Sequence, residues 1–290
     1  MKWEGPILDN HMHIDPLHGL GLDAVRQFCR AGGTHIILVA KTARDWGIDA
    51  STADEFSLAY SRTISLAEEI SSSTDAQAFP IVGFHPAEFV GIAQKKGTDY
   101  ALALGRELAD VWKELFDQHR ILGVGEVGRP HYPVPDEVWD ASNSLLADYL
   151  LWAADNDVPM QLHTEHFEKE QFEEVGGMIR ANGDAKRIIK HFSPPLPDIA
   201  LSCSMHSSIV SSRSSITDAL GRSNEFFMET DYIDDLTRPG SVMGPRTVPR
   251  RTLALLESGA MTEKDAAMIH IRLPQKIYGI DMEKEGSVGR

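Results

Sequence analysis

The stretch LDNHMHIDP, residues 8–16, closes an apolar run with two histidines separated by one residue. In an extended strand alternate side chains project from the same face, so His11 and His13 point together while Asn10 and Met12 point the other way. Two neutral imidazoles on one face can bind a metal ion, and two unrelated surface histidines would give the same local pattern. The choice between these interpretations depends on what ends the other strands.

Short apolar runs alternate with longer stretches of helical spacing along the chain. The runs predicted as strands are GPILDNHMHI, THIILVAK, FPIVGFHP, ILGVGEVG, VPMQLHTE, RIIKHFS, IALSCSM and EFFMETDY. Helical spacing covers 54–70, 100–116 and 136–154. This alternation within 290 residues predicts parallel strands with crossover helices, closed as a (β/α)8 TIM-type barrel, an α/β fold of one domain. We expect the barrel to occupy residues 1–280 and a polar tail to occupy residues 281–290.

Residues able to bind metal ions or transfer protons lie near the C-terminal ends of most of these runs. They are His11, His13, His85, Glu126, His163, His191 and Asp231. In a barrel these ends converge on one face, where the active site of this fold lies. In ILGVGEVG, the side chains of Leu122, Val124 and Glu126 are expected to share a face, with Glu126 uppermost. Histidines scattered through a core would not be expected to end successive strands, so the pattern indicates a site.

The series DNHMHID, GFHP, GEVG, LHTE, KHFS and ETD resembles the TatD-related branch of the amidohydrolase superfamily. Order and approximate spacing hold from residue 8 to Asp231, and PQKIYGI near the end resembles the closing helix of that family. The resemblance implies a TIM barrel that binds two divalent metals and performs metal-dependent hydrolysis, often of DNA ends.

The same resemblance implies a role for each of six residues. His11, His13 and Asp231 would hold the first metal, and Glu126 would bridge the two ions. His163 and His191 would hold the second metal.

The chemistry of these side chains agrees with a metal site. Four imidazoles and two carboxylates suit zinc, manganese, cobalt or nickel, and magnesium where substrate phosphates complete the coordination. Two ions that share a water can lower its pKa and stabilise the charge that develops on a phosphoryl or carbonyl oxygen. We expect Asp231 to accept the proton from that water, so Asp231 and the bridging Glu126 are the candidate catalytic residues. For His85, contact with the substrate or a metal ligand and simple packing at a strand end both stay open.

The residues expected to contact substrate depart from the family pattern. Family nucleases usually continue the glutamate motif as Gly-Leu-Asp, whereas this chain has Arg129 and Pro130 at the last two places. After Asp231, the segment LTRPGSVMGPRTVPRR is rich in arginine, and loops after the last barrel strands commonly bind phosphate. Arg129, Arg246 and Arg250 are therefore candidates for substrate contact or for support of the site, with a solvated or salt-bridged loop as the alternative for the last two.

Composition limits the other classes of function. The formal charge of −15 argues against a protein that coats duplex DNA through a broad basic face, but not against one that binds a strand end in a local pocket. Two cysteines, no signal-peptide core and no membrane-spanning segment favour a cytoplasmic protein. The glycines of GVGEVG match a dinucleotide-binding pattern, but the prolines of the following RPHYPVP cannot continue the helix that this motif requires.

The sequence therefore predicts a TatD-like deoxyribonuclease or phosphodiesterase that acts on a DNA end or a small phosphoester through a metal-activated water. The alternative is hydrolysis of a small lactone, amide or phosphoester by the same metals. A third interpretation is a non-catalytic metal-binding barrel that binds a partner, although structural metal sites usually have closed four-ligand shells. The remaining histidines, at 18, 35, 119, 131, 166, 206 and 270, end no strand and are expected to lie at the surface or in the core, with His166 as the exception to watch because it lies close after His163.

Overall fold

The computed structural model describes residues 3–239 and 242–282, which form one domain of alternating strands and helices. The strands are β1 Leu8–His13, β2 His35–Val39, β3 Gln77–Val82, β4 Gly123–Gly128, β5 Met160–His163, β6 Ile188–Lys190, β7 His206–Val210, β8 Phe227–Glu229 and β9 Tyr232–Ile233. The α-helices are α1 Leu22–Arg30, α2 Ala53–Ser73, α3 Pro86–Lys96, α4 Thr98–Asp117, α5 Asp136–Asn156, α6 Lys169–Ala181, α7 Pro197–Ser202, α8 Arg213–Leu220, α9 Thr247–Glu257, α10 Glu263–Ala267 and α11 Leu273–Tyr278. A 3-10 helix at Ala43–Trp46 and a π-helix at Met268–Arg272 complete the elements.

All neighbouring strands pair in parallel, in the order β8-β7-β6-β5-β4-β3-β2-β1-β9. The two ends of this sheet meet because β9 follows β8 after only Thr230 and Asp231 and pairs with β1. Asp9 of β1 holds the backbone between β8 and β9 in place. Its carboxylate accepts hydrogen bonds from the Thr230 backbone N at 3.1 Å and from Thr230 Oγ1 at 2.7 Å. The predicted (β/α)8 TIM-type fold is confirmed, with its eighth strand in two pieces.

Apolar side chains fill the barrel in two layers. Inside the sheet, Leu8, Ile37 and Ile81 pack against Leu273 and Ile277 of α11, which closes the N-terminal mouth. Between the sheet and the helices, a larger cluster includes the buried aromatic side chains Trp112, Tyr149 and Phe172. Since this mouth is closed by apolar groups, polar chemistry is confined to the C-terminal ends of the strands.

The helical predictions are confirmed with slightly longer bounds in α2, α4 and α5. The seventh predicted strand is wrong: most of IALSCSM lies in α7, and β7 begins at His206. Pro197 occupies the first turn of α7, where its fixed φ and missing N–H favour a helix start. The apolar run was too short for periodicity to separate the two structures.

Local alternation also fails in β4. Leu122 packs inside the barrel, but Val124 packs in the outer cluster with the helices, so these two side chains do not share a face. Within β4, a register shift between Val124 and Val127 also interrupts the regular pairing with β5. A similar shift in β1 leaves Asn10 hydrogen-bonded to Tyr278 of α11 rather than on the face of Met12.

The predicted tail lies mostly outside the described residues, since these end at residue 282. Met282 itself is buried and joins the cluster inside the barrel. Within the ranges that the structure describes, the helices are too short or too polar to cross a membrane.

Candidate metal centre

Six side chains from the ends of four strands, β1, β4, β5 and β6, and from the link between β8 and β9 converge at the C-terminal mouth of the barrel. They are His11, His13, Glu126, His163, His191 and Asp231, all of which lie within the ranges of mutual contact given below. His11 and His13 leave the end of β1 with their Nε2 atoms 3.1 Å apart. The side chain of Asp231 reaches them from the interruption of the eighth strand, with Oδ1 3.8 Å from each Nε2. The structure thus brings together all six residues that the sequence singled out as ligands.

The carboxylate of Glu126 lies between two groups of histidines. Its Oε2 is 3.7 Å from His11 Nε2 and 3.5 Å from His13 Nε2. Its Oε1 is 2.6 Å from His163 Nδ1 and 3.0 Å from His191 Nε2. We call His11, His13 and Asp231 the first half-site, and His163 and His191 the second half-site. Glu126 contributes one oxygen to each.

Polar partners on the far side of the rings leave suitable nitrogens facing the centre. The Gln161 amide donates through Nε2 to the Asn10 carbonyl and to Tyr278 Oη, so its Oε1 accepts from His11 Nδ1–H at 2.7 Å. His11 therefore presents an unprotonated Nε2 to the site. His191 Nδ1 lies 3.3 Å from Glu229 Oε1, which leaves its Nε2 towards Glu126. Such outer partners are typical of metal-binding histidines.

Electrostatics favour the protonation states that ligands need. Burial lowers the pKa values of His11, His13 and His163, which keeps these imidazoles neutral. Burial would raise the pKa of Glu126, but His163, His191 and His11 outweigh it and hold the pKa well below its usual range.

The pKa values of the other two ligand candidates, His191 and Asp231, are raised, so these groups bind protons near neutral pH. Burial lowers the pKa of His191, but Glu126 and Glu229 outweigh this effect and raise it to about 10. Burial, assisted by Glu229 and Glu126, raises the pKa of Asp231 to about 8. A set of imidazoles and carboxylates in these states fits divalent cations, since cations would replace the protons of His191 and Asp231.

His85 adds a hydrogen-bond donor to the same mouth. Its Nδ1 accepts from the Ala87 backbone N at 3.0 Å, at the start of α3. The neutral ring then carries its proton on Nε2, which lies 4.0 Å from Glu126 Oε2. This geometry suits donation to a ligand oxygen better than coordination of a cation.

Comparison with known proteins agrees with this arrangement. Residues 8–279 match the family described as TatD related DNase. An uncharacterized protein of Methanocaldococcus jannaschii is 35% identical over 281 residues, which cover 96% of this chain and 97% of that protein. The chain belongs to the TatD related DNase family. It is therefore a member of a family of metal-dependent hydrolases.

Solved structures share the barrel at low sequence identity. YJJV, a TatD homologue from Escherichia coli, superposes with a TM-score of 0.65 at 18% identity, covering 94% of this chain and 98% of that one. An organophosphorus hydrolase from Deinococcus radiodurans gives a TM-score of 0.62 at 11% identity, covering 95% and 92% respectively. At these identities the likeness concerns the fold.

A pocket of about 1040 Å³ opens above the metal-binding cluster of this TatD family member. Its wall includes His85 and five ligand candidates, together with Lys41, Lys190 and Arg238. The half-exposed ring of Phe192 also borders it, at 47% exposure. The pocket therefore combines cations, acids and an apolar surface around the centre.

Arg129, where family nucleases usually have leucine, lies behind this wall rather than in it. Its guanidinium is 1% exposed and makes a bidentate pair with Glu165, a hydrogen bond to Glu174 at 2.8 Å and one to Asn143 at 2.9 Å. Glu165 borders the pocket. Of the two roles predicted for Arg129, the structure fits support of the site through Glu165 and does not fit direct contact with substrate.

Arg246 and Arg250 do not border the pocket. They line two shallow surface depressions, one of them shared with Gln27 and Arg30 near the end of α1. Since α1 runs from the C-terminal to the N-terminal side of the barrel, its end lies away from the metal-binding mouth. The predicted contact of these arginines with a substrate in the pocket is therefore not supported. Among the four arginines of this segment, all within the described ranges, Arg238 is the one that borders the pocket.

Sequence reasoning missed several side chains of the site. His131 Nδ1 lies 2.8 Å from His163 Nε2 and His18 borders the pocket, although neither ends a strand. His166, singled out in the sequence because it closely follows His163, also borders the pocket. The sequence pattern places Lys190 only within a strand. Burial lowers the pKa of Lys190 to about 8. A weak signal existed for Lys190, because a lysine directly before a ligand histidine breaks the apolar run RIIKHFS.

Proposed function

We propose that the chain is a two-metal phosphodiesterase that hydrolyses DNA ends. The observation that carries this proposal is the position of Glu126, whose two oxygens face different histidine groups, as expected for a carboxylate that bridges two cations. Each half-site then has at least two imidazoles and one carboxylate oxygen. This donor set suits zinc, manganese, cobalt or nickel, with magnesium as a further candidate.

Two divalent ions held in this way would acidify a shared water and stabilise negative charge on the phosphoryl oxygens. Asp231 is the proposed acceptor of the water proton, because Oδ1 borders the first half-site without facing the second. His85 Nε2–H is the proposed hydrogen-bond donor to a substrate oxygen. Gln161 and Glu229 keep the rings of His11 and His191 in the required orientation.

Support for a nucleic-acid end comes from the pocket and from the family. A pocket of about 1040 Å³ has room for a nucleotide, and Phe192 offers an exposed ring on which a base could stack. The family description names DNases. The negative total charge of −15 argues for binding of a strand end in this local pocket rather than of a long duplex. Because both cysteines are free, we propose the cytoplasm as the location.

A second candidate is hydrolysis of a small neutral lactone, amide or ester. It is favoured by the absence of Arg246 and Arg250 from the pocket wall and by the departure at Arg129. At these positions the residues expected to contact the substrate differ from those expected in a nuclease.

The experiment compares both classes on one preparation. The protein is stripped with chelator, reloaded with each candidate metal and assayed on single-stranded DNA, on bis(p-nitrophenyl) phosphate and on a panel of lactones. We expect metal-dependent cleavage of the first two substrates and its loss in His191→Ala. Efficient turnover of a lactone without cleavage of either phosphodiester would reject the proposal in favour of the second candidate.

A further inference from the structure

Three cationic side chains border the pocket in the described part of the chain: Lys41, Lys190 and Arg238. Lys41 Nζ forms an ion pair with Asp15 at 2.5 Å, and Arg238 Nε forms one with Asp235 at 2.8 Å. Both charges are therefore compensated within the protein. Lys190 forms no ion pair with any carboxylate among residues 3–239 and 242–282.

Lys190 is nevertheless buried, at 1% exposure. Its Nζ donates one hydrogen bond, to the His191 carbonyl at 2.6 Å, and lies 5.1 Å from the centre of the Phe167 ring. An ammonium group has three N–H donors, so two find no acceptor among the side chains and backbone that the structure describes. A buried ammonium with two unmade hydrogen bonds is unfavourable unless a ligand supplies acceptors beside it.

The position of Lys190 in β6 explains how it reaches the substrate side. Ile189 packs in the cluster inside the barrel, whereas Ile188 packs in the outer cluster between the sheet and the helices. Lys190 is two residues after Ile188 and therefore points outward on the same face of the strand. From the last residue of the strand the side chain extends to the pocket edge, beside His191. The ammonium thus lies next to the second half-site without occupying it.

We propose that Lys190 binds a phosphate group of the substrate and makes the enzyme selective for phosphate-bearing over neutral substrates. This inference rests on the proposed function, because it assigns the substrate class of the same site. A phosphate oxygen would supply the acceptors that the two free N–H groups lack, and its negative charge would compensate the ammonium. A neutral lactone or ester would bring no negative charge to this position, where the carboxylates of Glu229 and Glu165 act on the ammonium without forming an ion pair with it.

The test uses Lys190→Met, which keeps the length of the side chain and suits the contact with Phe167. Lys190→Arg retains the charge, and Arg180→Met removes one unpaired surface charge from the end of α6, at the opposite end of the barrel. Each variant is assayed on bis(p-nitrophenyl) phosphate and on p-nitrophenyl acetate, and its metal content is measured. Binding of inorganic phosphate and of malonate is measured by titration calorimetry on the folded proteins.

We expect Lys190→Met to raise the KM for the phosphodiester and to weaken phosphate binding by about 10- to 100-fold, the usual range for a lost charge-assisted hydrogen bond. Turnover of the neutral ester and metal content should stay unchanged, and malonate binding should weaken by less than phosphate binding does. Lys190→Arg should recover part of the phosphate affinity, and Arg180→Met should behave as the unmodified protein does.

Equal phosphate binding in Lys190→Met and the unmodified protein would overturn the inference. So would an equal loss on both substrates together with loss of metal, which would mean that Lys190 only supports His191. Weaker malonate binding with unchanged phosphate binding would overturn the assignment to phosphate. If the unmodified protein hydrolyses none of the substrates, the proposed function fails, while the phosphate titration still decides the role of Lys190.

Discussion

Replacement of Glu126 by glutamine tests whether this carboxylate joins two metal sites. The change keeps the shape of the side chain and removes its charge, and an amide cannot offer two anionic oxygens. The half-sites should respond unequally. The first half-site keeps the carboxylate of Asp231, whereas the second is left with the neutral imidazoles of His163 and His191.

The magnitude follows from this asymmetry. Loss of an outer hydrogen-bond partner of a ligand typically costs about 10- to 100-fold in metal affinity. Loss of a directly bound anionic oxygen should exceed that range, so we expect at least about a 100-fold weaker second ion, or roughly 2.7 kcal/mol. The first ion should also weaken, but by less.

The assay is elemental analysis after metal saturation and desalting, combined with titration calorimetry. The unmodified protein should retain two ions per chain and Glu126→Gln close to one. Glu229→Gln is a graded control: among the ligand candidates Glu229 contacts His191, so its loss should weaken the second ion alone and within the smaller range. Two ions retained with unchanged affinity in a folded Glu126→Gln variant would refute the bridging role, as would a single ion in the unmodified protein under excess metal.

Three further predictions concern the proton acceptor, the outer arginines and the stability of the fold. Asp231→Asn should reduce turnover by about 100-fold or more while metal still binds detectably; normal steady-state rates at full occupancy would contradict the role of Asp231 as base. Arg246→Ala and Arg250→Ala should leave the KM for bis(p-nitrophenyl) phosphate unchanged, since neither side chain borders the pocket, and a raised KM would show that substrate reaches this surface. His270 is fully buried, accepts from the Leu8 backbone N through Nδ1 and pairs with Thr252 Oγ1, and burial lowers its pKa from 6.5 to about 3. Between pH 6.5 and about pH 3 the unfolded chain binds a proton that the folded protein does not, so the free energy of unfolding falls as the pH is lowered. From pH 6.5 to about pH 5, the free energy of unfolding in urea should fall by about 1.5 kcal/mol more in the unmodified protein than in His270→Asn. Equal losses would count against the prediction.

The barrel and the convergence of six candidate ligands follow from local sequence pattern. Apolar runs and helical spacing are short-range features, and in a parallel barrel the C-terminal ends of strands must meet at one mouth. His11, Glu126 and Asp231 could therefore be placed together before any contact between them was known. Local pattern failed where one residue of register matters, as for Val124 beside the shift in β4, and where a short apolar run ended in α7.

Only the tertiary structure decided which groups support and surround these ligands. The hydrogen-bond partner of His11 is Gln161, 150 residues away. The carboxylate that pairs with Arg129 belongs to Glu165, which lies in a different loop. Whether Lys41 and Lys190 carry free or compensated charge depends on which acids other segments bring beside them. The path of the chain after Arg238 likewise takes Arg246 away from the pocket. Side-chain pairing across the fold depends on packing between distant segments, and no local periodicity in the sequence encodes it.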